Sequence, residues 1–179
     1  MPNYPFLFLD RDGVINERLP DQYVERLAQF QFTEGALAAI SNLTKHFDRI
    51  VVVTNQQGIG KGIMTVEDLK EIHDFMKKEI EKAGGHVDAI YFCPALRASN
   101  HPDRKPNPGM AMRAKQDFPE IDFSKSIIVG DANSDMLFGK RLGMKTILIE
   151  TNPTEVKKSS MINVDARFIS LAEFSKSLG

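Results

Sequence analysis

Six short runs of β-branched or apolar residues punctuate the chain: Phe6-Leu-Phe-Leu9, Ile50-Val-Val-Val-Thr54, Val87-Asp-Ala-Ile-Tyr-Phe92, Ser126-Ile-Ile-Val129, Thr146-Ile-Leu-Ile149 and, more weakly, Ala166-Arg-Phe-Ile169. Their near-continuous hydrophobicity suits strands covered on both faces, as in a parallel sheet. Between the runs the apolar positions shift to helical spacing. The clearest case passes through Val66, Leu69, Ile72, Met76 and Ile80, with Thr65 and Asp68 as a capping pair and Gly84-Gly85 as the stop. Further helices are expected around residues 35–45, 109–118, 134–142 and 171–178. Strand and helix in alternation predict an α/β protein with a doubly wound, mainly parallel sheet, in which ligands bind beyond the carboxyl ends of the strands. The residues just after each strand are therefore the ones that carry information about function.

Length and composition narrow the reading. With 179 residues, 42% hydrophobic and 26% charged, the chain is expected to form one domain over residues 1–179 around a sizeable core. A formal net charge of −1 offers no general attraction to a phosphate backbone or an anionic membrane, which disfavours nucleic acid and membrane as partners. The apolar run at Phe6–Leu9 is too short for a signal-peptide core or a membrane span, so the expected location is the cytoplasm. A single cysteine, Cys93, leaves no internal disulfide and suits a reducing compartment.

Candidate chemistry gathers at the predicted strand ends. Asp10 and Asp12 follow the first run; residues two apart in an extended segment share a face about 7 Å apart, so both carboxylates can aim at one point and invite a cation. Thr54, Asn55, Gln56 and Gln57, followed by Gly58, offer a hydroxyl, amides and a pliable backbone suited to the oxygens of an anion. Asp131 follows the fourth run, with Asp135 about one helical turn later on the same face. Arg104 and Lys105 form a cationic pair in the loop before the helix at 109–118. Any one of these acids alone is explained as a turn former or helix cap. Four carboxylates, a threonine and a lysine, all at strand ends, form a constellation for phosphate chemistry.

These residues resemble a family. Asp-x-Asp-Gly after the first run, Thr-Asn after the second, Arg-Lys-Pro before a helix and Gly-Asp-x-x-x-Asp after the fourth are similar, in order and over nearly the whole chain, to the four motifs of the haloacid dehalogenase-like phosphohydrolases. Residues 8–16, 53–59, 91–94 and 104–110 look more narrowly like the branch containing histidinol-phosphatases and D-glycero-D-manno-heptose bisphosphate phosphatases. The resemblance implies a Rossmann-like core and a Mg²⁺-dependent phosphomonoesterase working through an aspartyl phosphate on Asp10. Asp12 would protonate the leaving alkoxide and then deprotonate water, which calls for surroundings that hold its proton near neutral pH. Mg²⁺ would take the Asp10 carboxylate, the Asp12 backbone carbonyl and Asp131, with Asp135 orienting a metal-bound water or Lys105. Thr54, the Asn55 backbone and Lys105 would cradle the phosphoryl group. Gln56, Gln57 and Arg104, and the segment from Pro20 to Tyr23, would contact substrate. The leading implied substrate is a heptose bisphosphate for a bacterial surface glycan. Histidinol phosphate, a polynucleotide 3′-phosphate end and a non-catalytic binding module are the alternatives, the last opposed by intact Asp10, Asp12, Lys105 and Asp131.

Loop lengths and departures from the pattern refine this. Gly13 to Val53 spans 41 residues and Cys93 to Arg104 only 12, which leaves no room for the cap domain that such proteins often insert and predicts an open site. The branch usually binds a structural zinc in the loop after the third strand. Here Cys93 remains, Ala95 replaces a histidine, and His101 and Asp103 replace two cysteines, so no structural zinc is expected and Cys93 is read as a small buried apolar residue. Ala132 stands where heptose bisphosphate phosphatases commonly carry a lysine, which bears on the substrate and not on the phosphatase chemistry. Residues 58–62, Gly-Ile-Gly-Lys-Gly, lack the spacer and the hydroxyl of a nucleotide-binding P-loop. His46, His73 and His86 lack spaced partners and read as surface or core histidines. With no strongly amphipathic element left exposed, a monomer is expected.

Overall fold

The structure, a computed structural model, describes residues 4–159 and 162–179. Six strands, β1 (Phe6–Leu9), β2 (Arg49–Asn55), β3 (Ala89–Cys93), β4 (Ser126–Gly130), β5 (Lys145–Ile149) and β6 (Ala166–Phe168), form one sheet in the order β3-β2-β1-β4-β5-β6. All the pairings are parallel, with Leu9 of β1 opposite Val52 on one side and Val129 on the other. The strand order reverses between β1 and β4. That boundary opens a crevice at the carboxyl edge of the sheet.

Seven helices complete the described residues: α1 (Ala36–Leu43), α2 (Gln57–Gly60), α3 (Val66–Lys82), α4 (Gly109–Asp117), α5 (Asn133–Leu142), α6 (Pro153–Ser159) and α7 (Leu171–Lys176). Alternate strand residues divide the interior into two layers. Leu7, Leu9, Val52 and Val129 join Ile40, Leu43, Ile72, Met76 and Phe174 of α1, α3 and α7. Phe8, Val51, Val53 and Ile128 join Met110, Ala114 and Phe138 of α4 and α5. Because β1, β2 and β4 are covered on both faces, nearly every one of their positions must be apolar. That requirement is why the runs read as unbroken hydrophobicity and not as alternation.

The expected elements are present, and the differences have local causes. Thr65 Oγ1 accepts from the Asp68 N–H (3.1 Å) while the Asp68 carboxylate accepts from the Thr65 N–H (2.8 Å), so the start of α3 is set by its capping box. β3 begins at Ala89 and not at Val87, because Asp88 spends its carboxylate on the Ile50 N–H (2.7 Å) and Arg49 (3.1 Å) at the edge of β2. Two helices fall outside the sequence reading. α2 is four residues long, too short to show a helical period. α6 carries a legible signal in Asn152-Pro153: the Asn152 side chain accepts from the Thr154 and Glu155 N–H groups (3.1 and 3.3 Å), and proline occupies the first helical position.

The described loops stay short. Between β1 and α1 there is only a 3₁₀ turn at Leu27–Gln29, and between β3 and α4 another at Arg97–Ser99. Neither builds a second layer over the sheet edge, so the carboxyl ends of β1, β2 and β4 face an open cleft, as the loop lengths predicted.

α5 lies close on β4 and β5 through Gly139. A Cβ there would come within 2.4 Å of Ile128 Cγ2 and 2.7 Å of Thr146 Cγ2. Gly139→Ala should therefore destabilise the protein by about 1–3 kcal/mol through overpacking, although helix propensity alone would favour alanine by about 1 kcal/mol. The sign of the shift in the urea midpoint decides between them.

Candidate active site

The site is built outward from β1. Past Leu9 the chain runs on into Asp10, whose N–H donates to the Val129 carbonyl of β4 (2.9 Å). The Arg11 carbonyl then accepts from the N–H groups of Val14, Ile15 and Asn16 (3.3, 2.8 and 3.1 Å), winding a tight turn. Gly13 sits in it at φ +84°, and a Cβ there would lie 2.0 Å from Asp131 Oδ2. Only glycine allows the turn to close against that carboxylate.

Lys105 Nζ reaches the same point from the loop before α4, lying 2.9 Å from Asp10 Oδ1 and 2.6 Å from Asp135 Oδ1, with all three residues buried. Its backbone is fixed by Asn55 at the end of β2: the Asn55 amide donates to the Lys105 carbonyl (3.1 Å) and accepts from the Lys105 N–H (3.0 Å). Asp10, Asp131 and Asp135 each place a carboxylate oxygen within 4.8 Å of the others. Asp131 is gripped by Arg18, whose Nε donates to Oδ2 (2.9 Å) and Nη2 to Oδ1 (2.7 Å), and the same Nη2 reaches the Asp12 carbonyl (3.2 Å).

Electrostatics separate the two acids of the first loop. Burial pushes the carboxyls of Asp10, Asp131 and Asp135 above the ordinary range, and their mutual repulsion adds to it. Burial also disfavours the Lys105 ammonium, yet Asp10 and Asp135 outweigh it and hold the proton more firmly than usual. Asp12 goes the other way. Burial would raise it, but the Arg11 ion pair (2.9 Å) and the Asn16 amide (3.0 Å) on Oδ1 bring it down to about 2. The expectation of a proton resting on Asp12 near neutral pH is thus not met in the free protein, because Arg11 neutralises the carboxylate directly.

A cleft of about 540 Å³ opens from Asp10 and Asp12 past Arg18, Tyr23, Arg97 and Arg104. Gln57 braces its rim, donating to the Tyr23 hydroxyl (2.8 Å) and accepting from the Arg97 N–H (3.2 Å), so three loops meet on one side chain. A dianion entering here would meet a wall of cationic side chains, the buried Asp10 carboxylate and the Arg11-paired Asp12 carboxylate.

Comparison with known proteins agrees with this geometry. The family model described as "HAD-hyrolase-like" matches residues 103–173. A D-glycero-alpha-D-manno-heptose-1,7-bisphosphate 7-phosphatase of Mycobacterium tuberculosis is 35% identical over 97% of this chain and 90% of its own. The D-glycero-beta-D-manno-heptose-1,7-bisphosphate 7-phosphatase of Photorhabdus laumondii is 32% identical over 97% and 95%. Among solved structures, D,D-heptose 1,7-bisphosphate phosphatase from B. bronchiseptica, complexed with magnesium and phosphate, superposes with a TM-score of 0.88 at 28% identity over 97% of each chain. The chain belongs to the haloacid dehalogenase-like phosphohydrolases.

The four family motifs account for Asp10, Asp12, Lys105, Asp131 and Asp135, which the structure brings together. Thr54 is buried beside them with its hydroxyl accepting from the Gln56 amide (2.9 Å). Gln56 lines the cleft beside Gln57 and, 3% exposed, donates to Asp12 Oδ2 (2.8 Å) as well as to Thr54, which gives the Asp12 carboxylate another donor. Arg104 lines the cleft while donating to the Ala95 carbonyl (3.0 Å). Ala132 lines the cleft too, and its N–H donates to Asp135 Oδ2 (3.1 Å). Lys61 of the glycine-rich stretch lies over the Tyr23 ring (5.1 Å) at the tip of α2. Cys93 Sγ is 3.8 Å from His101 Nδ1, but that nitrogen accepts from the Asp103 N–H (3.1 Å) and the Asp103 carboxylate turns to Arg113 (3.3 Å), so the three do not converge on a common point. Among the described residues, no helix is long and apolar enough to cross a membrane.

Sequence reasoning missed a supporting set: Arg11, Asn16, Arg18, His73, Arg97 and Glu155. Glu155 of α6 accepts from the Asn133 N–H (3.0 Å) at the start of α5. Arg11 and Asn16 flank the motif acids and were legible as their neighbours. His73 was read as a core histidine, and it is buried; its Nε2 lies 3.2 Å from Arg11 Nη1, which joins α3 to the ion pair that holds Asp12. Nothing in the α3 pattern announces that contact.

Burial and then the Arg11 charge lower the His73 pKa from 6.5 to about 3. The unfolded chain therefore binds a proton on this side chain between those values and the folded chain does not. His73 thus contributes stability that is present above about pH 6.5 and is lost as pH falls toward 3, at up to about 1.4 kcal/mol per pH unit. His73→Gln keeps an acceptor for Arg11 and removes the titration. Urea denaturation at a series of pH values should show a shallower acid slope for the variant across that window.

Proposed function

We propose that this chain hydrolyses a phosphate monoester of a small phosphorylated sugar, D-glycero-D-manno-heptose 1,7-bisphosphate foremost, through a phosphoaspartyl intermediate on Asp10. The observation that carries the reading is the buried Lys105 bonded to Asp10 and Asp135 with Asp131 alongside, at the strand ends of a chain from this phosphohydrolase family. An Asp10 oxygen attacks phosphorus as the bond to the sugar oxygen breaks, and Asp12 gives its proton to the departing alkoxide. The negative charge of the arriving phosphate opposes Arg11 and raises the proton affinity of Asp12, so that Asp12 takes up from solvent the proton that it then donates. Asp12 then takes a proton from water as that water attacks the acyl phosphate, releasing inorganic phosphate and regenerating Asp10. Thr54 and Lys105 are placed to hold the equatorial oxygens, where charge builds. Proton donation to the leaving group is useless to a halide, so Asp12 favours a phosphatase over a dehalogenase.

The donor set fits Mg²⁺. Hard oxygens from Asp10 and Asp131 converge, and the Asp12 carbonyl faces the same space, since one guanidinium nitrogen touches both it and Asp131. Asp10, the Asp12 carbonyl and Asp131 would hold the ion, which when bound neutralises the repulsion between the Asp10 carboxylate and the incoming dianion. The B. bronchiseptica neighbour carries magnesium and phosphate. Relatives named for the 7-phosphatase reaction on both anomers support the heptose substrate. The open cleft with Arg97 and Arg104 on its wall supports a compact substrate bearing a second phosphate.

Asp10→Asn should abolish turnover with the fold intact, and beryllium fluoride should fail to form its adduct on that variant; appreciable residual activity would sink the mechanism. EDTA should stop hydrolysis and Mg²⁺ restore it. In a panel containing both heptose bisphosphate anomers, histidinol phosphate, a 3′-phosphorylated oligonucleotide and an aryl phosphate, a heptose bisphosphate should show the highest kcat/KM. Arg104→Ala should lower that value by about 1.5–3 kcal/mol, the range for a charge-assisted hydrogen bond, while leaving the aryl phosphate nearly untouched.

A further inference from the structure

The Arg18 guanidinium occupies the place that the proposed function gives to the metal. It makes a two-nitrogen fork to Asp131 (2.9 and 2.7 Å) and touches the Asp12 carbonyl (3.2 Å). Two of the three donors assigned to Mg²⁺ are therefore already bound by a cation. Asp131 is fully buried, whereas the Arg18 side chain is 40% exposed and lines the cleft, so the guanidinium has come in from the open side. Its chain segment is the loop between Asn16 and Thr33, which holds no strand or α-helix and only a single 3₁₀ turn. Among the described residues, Lys105 is bonded to Asp10 and Asp135, and Arg18 is the cation bonded to Asp131.

One cation at a time can use these oxygens. Mg²⁺ demands its ligands at about 2.0–2.1 Å in an octahedron, which leaves no room for guanidinium nitrogens hydrogen-bonded to the same atoms and sets two like charges side by side. We propose that Arg18 is a stand-in cation: it holds Asp131 and the Asp12 carbonyl in position while the metal is absent, competes with Mg²⁺ for them, and withdraws into the cleft when the metal binds. This inference rests on the metal reading above. It follows that the apparent Mg²⁺ affinity of the wild type is reduced by the fraction of molecules in which Arg18 is docked.

The test measures metal binding directly. Calorimetric titration of the metal-free protein with MgCl₂ should show Arg18→Met binding Mg²⁺ about ten-fold or more tightly than wild type, with Arg18→Lys, which keeps a charge but not the fork, between them. Thermal unfolding in EDTA should show Arg18→Met less stable than wild type, because Asp131 is left without its partner, and saturating Mg²⁺ should erase most of that difference. In the wild-type protein labelled with ¹⁵N-arginine, the protected Arg18 Nε–H signal should disappear as Mg²⁺ is added. Equal or weaker Mg²⁺ binding by Arg18→Met, a loss of stability that Mg²⁺ does not repair, or a persistent Nε–H signal in the metal-saturated protein would each overturn the proposal while leaving the metal reading standing. Failure of wild type and variant alike to bind Mg²⁺ would overturn both.

Discussion

Lys105 holds the site together. Its ammonium is bonded to Asp10 and Asp135, all three side chains being buried, and removing one partner from a buried ionic cluster costs about 3–5 kcal/mol. The three residues come from separate parts of the chain: the end of β1, the loop before α4 and the first turn of α5. Their contact therefore requires that β1 and β4 be neighbours and that the Lys105 loop cross the end of β2, where the Asn55 amide fixes it. The electrostatics of the site and the topology of the sheet are one constraint. An arrangement of strands that separated β1 from β4 would leave carboxylates buried without counter-ions.

Around that cluster the protein distributes charge so that two neighbouring carboxylates behave differently. Asp10 is raised by burial and then by Asp135, against the pull of Lys105, whereas Asp12, bonded to Arg11, Asn16 and Gln56, is lowered. The difference comes from partners carried by the β1 loop itself, by α3 through His73, and by the residue that follows β2. In the proposed function a phosphate arriving between them shifts both balances, so that one constellation serves as nucleophile and as proton relay. The proposed motion is that of Arg18, on the loop that also carries Tyr23 to the cleft.

The rim of the cleft is held by short polar ties. Gln57 joins the Tyr23 loop to the Arg97 loop, the Gly60 N–H donates to the Pro94 carbonyl (3.1 Å), and Arg104 bonds back to Ala95. Gln57, expected as a substrate contact, lines the cleft and also ties these two loops together. With no cap over the sheet edge among the described residues, the shape of the cleft depends on these ties.

Much of this was legible in the chain. The hydrophobic runs had to be strands covered on both faces, because no other arrangement buries so many consecutive β-branched residues, and the capping pair at Thr65 and Asp68 marked the start of α3. Acids following two such runs, a Thr-Asn pair and the Arg104-Lys105 pair pointed to one edge of the sheet, since strand ends in a doubly wound sheet share one edge. Other features depended on contacts between residues distant in sequence, which a linear pattern does not carry. The bond from Gln56 to Asp12 spans 44 positions, the pairing of His73 with Arg11 spans 62, and the docking of Arg18 on Asp131 spans 113. Local periodicity and residue type determined which elements form and which side chains carry the chemistry. Tertiary packing alone decided which charges meet, because desolvation and Coulomb forces act over distances in space and are indifferent to separation along the chain.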